Sequence, residues 1–196
     1  MRKIFHFVHQ SVDGYIEGPN GEFDWPEMGP ELSAYSEELH GQIDTILYGR
    51  LVWDMMAAFW PEAESISDHP HTIAYAPIWR AIPKLVVSNT LREAPWNTRV
   101  ISGNVVEQVA ALKQQPGKDI VLMGGARLAA GLAREGLIDE RRIVVHPVLL
   151  GGGRPVFDEE KGRTTLSLVE TRTFDSRSVM LRYQVLDRVD HPGPQA

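Results

Sequence analysis

The sequence predicts an α/β fold: a mixed, mostly parallel sheet flanked by helices, with a C-terminal antiparallel hairpin. Three observations lead there. Short apolar runs alternate along the chain with segments of helical spacing, the pattern of parallel strands joined by crossover helices. Between Asp119 and Gly136 an apolar run breaks at Gly124-Gly125 and passes at once into an Ala/Leu-rich helical pattern, so strand, glycine turn and helix follow one another. Near the C-terminal end the alternation stops, and two strand-like runs, 166–172 and 178–186, are separated only by a polar turn.

Each element has its own local reason. Residues 3–10 read as a strand with Ile4, His6 and Val8 on one face and Phe5, Phe7 and His9 on the other; both faces are largely apolar, so the strand is expected to be central. Residues 11–21 form a loop rich in turn residues. A helix is predicted over 30–41, with Pro30 in its first turn and Leu32, Tyr35 and Leu39 in register. A strand over 44–48 runs into a short helix from Gly49-Arg50 through Met56, and 59–75 reads as a polar excursion before a helical turn at 76–81. Strands follow at 84–89 and 98–103, a helix at 105–114 closed by Pro116-Gly117, the strand-glycine-helix unit, a strand at 142–149 and a loop at 151–155. Residues 1–187 are expected to form a single domain and 188–196 a flexible tail.

The chain has 196 residues, 43% of them hydrophobic, enough for one full core. A net charge of −6 and isolated basic pairs such as Arg141-Arg142 argue against nucleic-acid and anionic-membrane binding, which need clustered Lys and Arg. With no cysteine, thiol nucleophiles and Cys-ligated metals are excluded. The first residues lack a signal-peptide pattern and no apolar run is long enough to span a membrane, so the cytoplasm is the expected location.

Ligands of open α/β sheets bind outside the carboxyl ends of the strands, and three such ends carry suggestive residues. Gly49-Arg50 offers a helix N-terminus and a guanidinium, Ser88-Asn89-Thr90 offers hydroxyls and an amide, and Gly124-Gly125 offers bare backbone at a second helix N-terminus. Singly, each has an ordinary reading: a tight turn, a surface Arg, a polar turn. Together they suit a phosphate-rich cofactor. The G-x-G-x-x-G of a conventional dinucleotide fold is missing after the first strand, where Ser11-Val12-Asp13-Gly14 stands instead.

In order along nearly the whole chain, five segments resemble the dihydrofolate-reductase-like superfamily, and within it the reductase domain of riboflavin biosynthesis and its uncharacterised relatives. They are Gln10 to Ile16, Thr45 to Arg50, Pro83 to Leu91, Met123-Gly124-Gly125 and Pro147 to Phe157. The resemblance implies NADPH as cofactor and hydride transfer to a small heterocyclic or ribose-linked substrate, as in 5-amino-6-(5-phosphoribosylamino)uracil reduction. It places Gly124, Gly125 and Ala126 on the pyrophosphate, with Arg127 and Leu128 just beyond. Gly49, Arg50 and Leu51 would lie against the phosphates, Ser88 and Asn89 near the adenosine ribose, and the loop after the first strand over the nicotinamide. It also implies a homodimer through the C-terminal hairpin. Folate reductases carry a carboxylate on the first long helix where this chain has Ser33, so dihydrofolate is not the expected substrate.

The acid nearest the expected nicotinamide pocket is Asp13, although an Asp before Gly14 is more often simply a turn residue. Glu31, Glu37 and Asp54 are further acids on helices. Ser33 and Trp53 are candidate substrate contacts; Trp53, like Trp25, Phe59 and Trp60, could line a flat-ring site, although aromatics at such positions are more often core. His6 and His9 point to opposite faces and His69-Pro70-His71 lacks a third partner, so no metal site is expected. A broad-specificity reductase, dihydrofolate reductase itself, and a protein that binds nucleotide without catalysis are the alternatives.

Overall fold

The computed structural model describes residues 1–157, 160, 162–175 and 177–189. One eight-stranded sheet organises them, in the order β5-β4-β3-β6-β1-β7-β10-β9. Six neighbours are parallel: β5 (Thr98–Ile101), β4 (Lys84–Val87), β3 (Ile43–Gly49), β6 (Asp119–Leu122), β1 (Ile4–Ser11) and β7 (Glu140–His146). The last two, β10 (Ser178–Val189) and β9 (Arg163–Phe174), form the antiparallel hairpin on one edge. This is the mixed, mostly parallel sheet of the dihydrofolate-reductase-like fold.

Because side chains alternate along a strand, β1 feeds two cores at once. Phe5 and Phe7 pack with Leu32, Tyr35 and Leu39 of α1 (Pro30–Gln42) and Trp53 of α2 (Arg50–Phe59). Ile4 faces the other way, toward Val109 and Leu112 of α5 (Val105–Gln114) and Ala129 and Leu132 of α6 (Ala126–Arg134). Leu32 and Leu39 are fully buried, each contributing about 2 kcal/mol by leaving water. Among the described residues no helix is long and apolar enough to cross a membrane.

Four stretches differ from the sequence reading. The excursion at 59–75 is largely helical: a 3₁₀ turn (Trp60–Glu62), α3 (Ala63–Ile66), and α4 (Pro70–Ala81), which swallows the turn expected at 76–81. Pro70 sits where a missing N–H costs nothing, and His69 accepts the N–H of His71 at 3.2 Å. Polar His71 and Thr72 join Tyr75, Ala76 and Trp79 on the buried face, which hid the helical period. In the loops at 11–21 and 151–155, Tyr15–Glu17 (β2) and Arg154–Pro155 (β8) pair as a small antiparallel sheet. Strand β7 starts two residues earlier than expected and ends at His146 rather than Leu149. Its buried charges are paired, Arg142 with Glu140 at 2.6 Å and Arg141 with Glu160 at 2.7 Å. Finally, β10 continues through Arg188 and Val189, two residues assigned to the tail; 190–196 lie outside the described residues.

Candidate functional site

Strands β4, β3 and β6 are consecutive in the sheet and parallel, so the three suggestive strand ends stand side by side along one edge. The Gly49 N–H donates to the Gly124 carbonyl at 2.8 Å, joining the ends of β3 and β6. A Cβ on Gly49 would come within 3.2 Å of the Gly125 nitrogen, and Gly124, at φ +103°, would bring one within 3.1 Å of Val52 Cγ2. The Gly124-Gly125 peptide bond is cis. Helices α2 and α6 therefore begin next to one another on glycine caps, and neither cap supplies a side-chain oxygen to the first-turn N–H groups.

Such N–H groups need an acceptor, and the positive ends of two helix dipoles favour an anionic one. Helix α1 shows the contrast. Its glycine cap is also bare, but Asp175 reaches in from the β9–β10 turn and accepts from the N–H groups of Glu31 at 2.9 Å and Leu32 at 3.2 Å. Among the described residues no side chain caps α2 or α6 in this way. The backbone fits a diphosphate-bearing cofactor.

The named side chains fall around this cradle unevenly. Gly49, Arg50 and Leu51 open α2, and Leu51 is exposed. Gly125 caps α6, which Ala126, Arg127 and Leu128 begin. Arg50 donates to both Asp54 oxygens, at 2.7 and 2.8 Å, and reaches Thr90 Oγ1 at 3.5 Å, so its guanidinium spans from α2 to the loop after β4. Ser88 is buried and its Oγ accepts from Thr90 and Leu91 N–H, which commits it to closing the turn; Asn89 is the exposed residue there.

The structure also shows where Asp13, Trp53 and Ser33 lie. Asp13 is an exposed turn carboxylate that accepts from Gly151 N–H at 2.8 Å and Leu150 N–H at 3.2 Å, clamping the 11–14 turn to the loop after β7. The Ser11 hydroxyl, followed by these amides, holds its carboxyl below the usual carboxylate range, so it is a poor proton donor. Trp53 is a core residue, 6% exposed, with its indole N–H on Thr98 Oγ1 at 3.3 Å. Ser33 is half-buried in the first turn of α1, while neighbouring Tyr35 is turned into the core, its hydroxyl accepting from Arg142 at 3.2 Å.

Farther along the same edge, at the end of β7, lies a cavity of about 190 Å³ lined by Trp25, Glu27, His146, Asp175 and Arg177 among others. At about 4.8 Å per strand, the intervals from β4 to β7 span roughly 19 Å, room for an extended ligand to run from cradle to cavity. On the cavity wall, His146 Nε2 meets His9 Nδ1 at 2.8 Å. Burial, reinforced by His146 and then His71, lowers His9 to about 3; burial lowers His146 to about 4 against the opposing pull of Glu27. The indole N–H of Trp25 is buried without a partner among the described residues, and its ring meets His146 edge-on at 5.6 Å. The sequence reading missed this cluster; the one available signal was a histidine near the end of each of two strands.

The chain has the dihydrofolate-reductase-like α/β fold, with two glycine-capped helix N-termini meeting at one sheet edge and a small cavity farther along it. A family model described as the RibD C-terminal domain matches residues 2–180, and the chain belongs to that family. It is 40% identical over 185 residues to the uncharacterized protein YyaP of Bacillus subtilis (strain 168), covering 93% of this chain and 94% of that one. Among solved structures it is similar to a candidate riboflavin biosynthesis protein from Shewanella sp. PV-4, with a TM-score of 0.73 and 24% identity over 94% of this chain and 99% of the other. It is also similar to dihydrofolate reductase from Enterococcus faecalis complexed with NADP(H) and RAB-propyl, with a TM-score of 0.57 and 16% identity over 94% and 97% of the two chains.

Proposed function

We propose that this chain is an NADPH-dependent reductase of a small heterocyclic or ribose-linked substrate, of the kind represented by 5-amino-6-(5-phosphoribosylamino)uracil. The observation that carries the reading is the pair of bare helix N-termini, α2 and α6, meeting over Gly49, Gly124 and Gly125. Membership of the RibD C-terminal domain family and the fold shared with an NADP(H)-bound reductase support it.

Bound NADPH supplies a hydride equivalent to the substrate carbon. The first-turn N–H groups of α2 and α6 hold its pyrophosphate, and Gly124 and Gly125 let the phosphates approach the backbone. Arg50, already aimed between Asp54 and Thr90, binds the additional 2′-phosphate beside Asn89. The cavity at His146 takes the group to be reduced. Ser33 leaves α1 without the carboxylate that would assist protonation of a pterin, so dihydrofolate is a poor substrate.

Titration of NADPH and NADH against tryptophan fluorescence tests the cofactor reading. NADPH is expected to bind at least about 10-fold tighter, the equivalent of one charge-assisted bond of about 1.5 kcal/mol or more to the 2′-phosphate. Equal affinity removes the role of Arg50, and binding of neither nucleotide removes the reading. NADPH oxidation with dihydrofolate, the ribose-linked aminouracil and a panel of quinones and nitroaromatics then separates a selective reductase from a broad-specificity one.

A further inference from the structure

We propose that the His9–His146 pair is the proton route of this site, with His146 giving the proton to the substrate atom and His9 resupplying it. The inference rests on the reductase reading above and names the acid that Asp13 does not provide.

The contact between His9 Nδ1 and His146 Nε2, at 2.8 Å, needs one hydrogen and one lone pair, so at least one ring is neutral. Burial keeps both neutral near neutrality. Two neutral rings hold two N–H hydrogens, and one of them lies between the rings. Of the outer nitrogens, His9 Nε2 and His146 Nδ1, one therefore carries a hydrogen and the other is bare. The pair is a donor at one end and an acceptor at the other, and moving the shared hydrogen exchanges the ends.

Placement makes this useful. His146 closes β7 and lines the cavity, and β1, which carries His9, lies between β7 and the cradle strand β6. His9 and His146 share the sheet face that packs against α1, in register with Phe5, Phe7 and Val144. Trp25 adds a buried indole N–H with no partner among the described residues, and such a donor costs about 1–3 kcal/mol unless an acceptor fills it. A carbonyl or imine substrate supplies that acceptor. The charged and titratable groups around the pair are Glu27, Asp175 and Arg177 at the cavity and His71 on α4. Glu27 is paired with Arg177 at 2.6 Å, and both Asp175 oxygens accept from α1.

The step balances. A bound reduced nicotinamide would supply the substrate carbon with a hydrogen and two electrons, and the π pair of the C=O or C=N bond would then move to the heteroatom. That atom takes the proton from His146 Nδ1, the shared hydrogen crosses from His9 Nδ1 to His146 Nε2, and His9 Nε2 takes a proton from solvent. Both rings end neutral but in the opposite tautomers; the pair resets when the shared hydrogen returns to His9 Nδ1, His9 Nε2 releases its proton to solvent and His146 Nδ1 takes one from solvent through the cavity.

Two readouts test the proposal, one independent of turnover. NMR of isotope-labelled imidazole nitrogens is expected to find both rings neutral at about pH 6, with one of the two outer nitrogens protonated and the other bare; a charged ring there overturns the relay. His146→Phe is expected to leave NADPH affinity within about twofold while lowering kcat by about 100-fold or more, and His146→Ala to regain part of that loss with added imidazole. His9→Phe should lower kcat less and steepen its fall with rising pH. NADPH binding intact with kcat of the His146 variants within about threefold of the parent overturns the relay alone. A parent protein that binds NADPH yet reduces no carbonyl or imine in the panel overturns it too, whereas a parent that binds no NADPH fells the reductase reading itself.

Discussion

The Gly49 N–H donates to the carbonyl of Gly124 at 2.8 Å, and this single bond sets the ends of two parallel strands, and hence the starts of α2 and α6, against one another. The three glycines here meet different constraints, which makes them separable by mutation. Gly125 lies at φ −91° and a Cβ there would touch only Val52 at an ordinary 3.7 Å. Gly125→Val is therefore expected to leave the melting temperature nearly unchanged while abolishing NADPH binding, because the branched side chain fills the phosphate position. Gly124→Ala, at φ +103° and against Val52, is expected to lose about 1–2 kcal/mol of stability as well. Calorimetry and nucleotide titration on both variants check the contrast; unchanged NADPH affinity in Gly125→Val counts against the cradle.

Asp175 holds the N-terminus of α1 from across the molecule, and Gly29 is required beneath it because a Cβ there would overlap the Asp175 carboxylate. Asp175→Ala is expected to cost about 1–2 kcal/mol, the usual effect of removing a helix cap. Chemical denaturation measures it. Hydrogen exchange should localise the loss to the first turn of α1, and uniform destabilisation would argue against a capping role.

What could be read in the sequence and what could not divides by the range of the interactions involved. Helix α5 is recovered residue for residue because its signals are local: Asn104 accepts the Glu107 N–H at 3.5 Å, and Pro116-Gly117 stops the chain beyond it. The strand-to-helix turns at Gly49 and Gly124-Gly125 were legible for the same reason, each following an apolar run directly. Helix α4 was not, because His71 and Thr72 count as polar until Trp60 and Tyr75 are seen to pack beside them. The His9–His146 contact joins residues 137 apart through the register of β1 on β7, and no local pattern encodes that register. Which of the two readings the sequence left for Trp53 and Asp13 fits their surroundings is likewise seen only through distant partners, Thr98 on β5 for one and the amides after β7 for the other.

Acid is expected to destabilise the fold through its buried histidines. His6 accepts from Arg141 at 2.9 Å, and burial followed by the Arg141 charge lowers it to about 3; His9, His71 and His146 are lowered to about 3, 4 and 4, mainly by burial. Each folded value lies below the unfolded one, so from about pH 6.5 downward the unfolded chain takes up protons that the folded chain refuses. Stability is complete above about pH 6.5 and falls as pH drops toward 4. His6 alone withholds about 2 kcal/mol at about pH 5, and the other three act in the same direction. Denaturation midpoints measured between about pH 5 and 7.5 should rise with pH, and His6→Gln should flatten the slope by about one proton. A flat profile would refute the neutral assignment on which the proton route depends.

The last prediction concerns the hairpin edge of the sheet. Strand β9 ends the sheet order, and Leu166, Leu168 and Val169 on it stand 37%, 56% and 50% exposed, with Leu186 of β10 at 52%. An edge strand with unpaired backbone groups and exposed apolar side chains invites pairing, and a second copy of the same strand is a self-complementary partner. The chain is therefore expected to be a homodimer through this edge. Light scattering at micromolar concentration should give the dimer mass, and Leu168→Asp should convert it to monomer, because pairing would bury a charge where an apolar side chain had been. The monomeric variant is expected to keep its NADPH affinity, since β9 lies four strands from β6 in the sheet order and takes no part in the cradle. A parent protein that scatters as a monomer, or a Leu168→Asp variant that stays dimeric, would place the interface elsewhere or remove it.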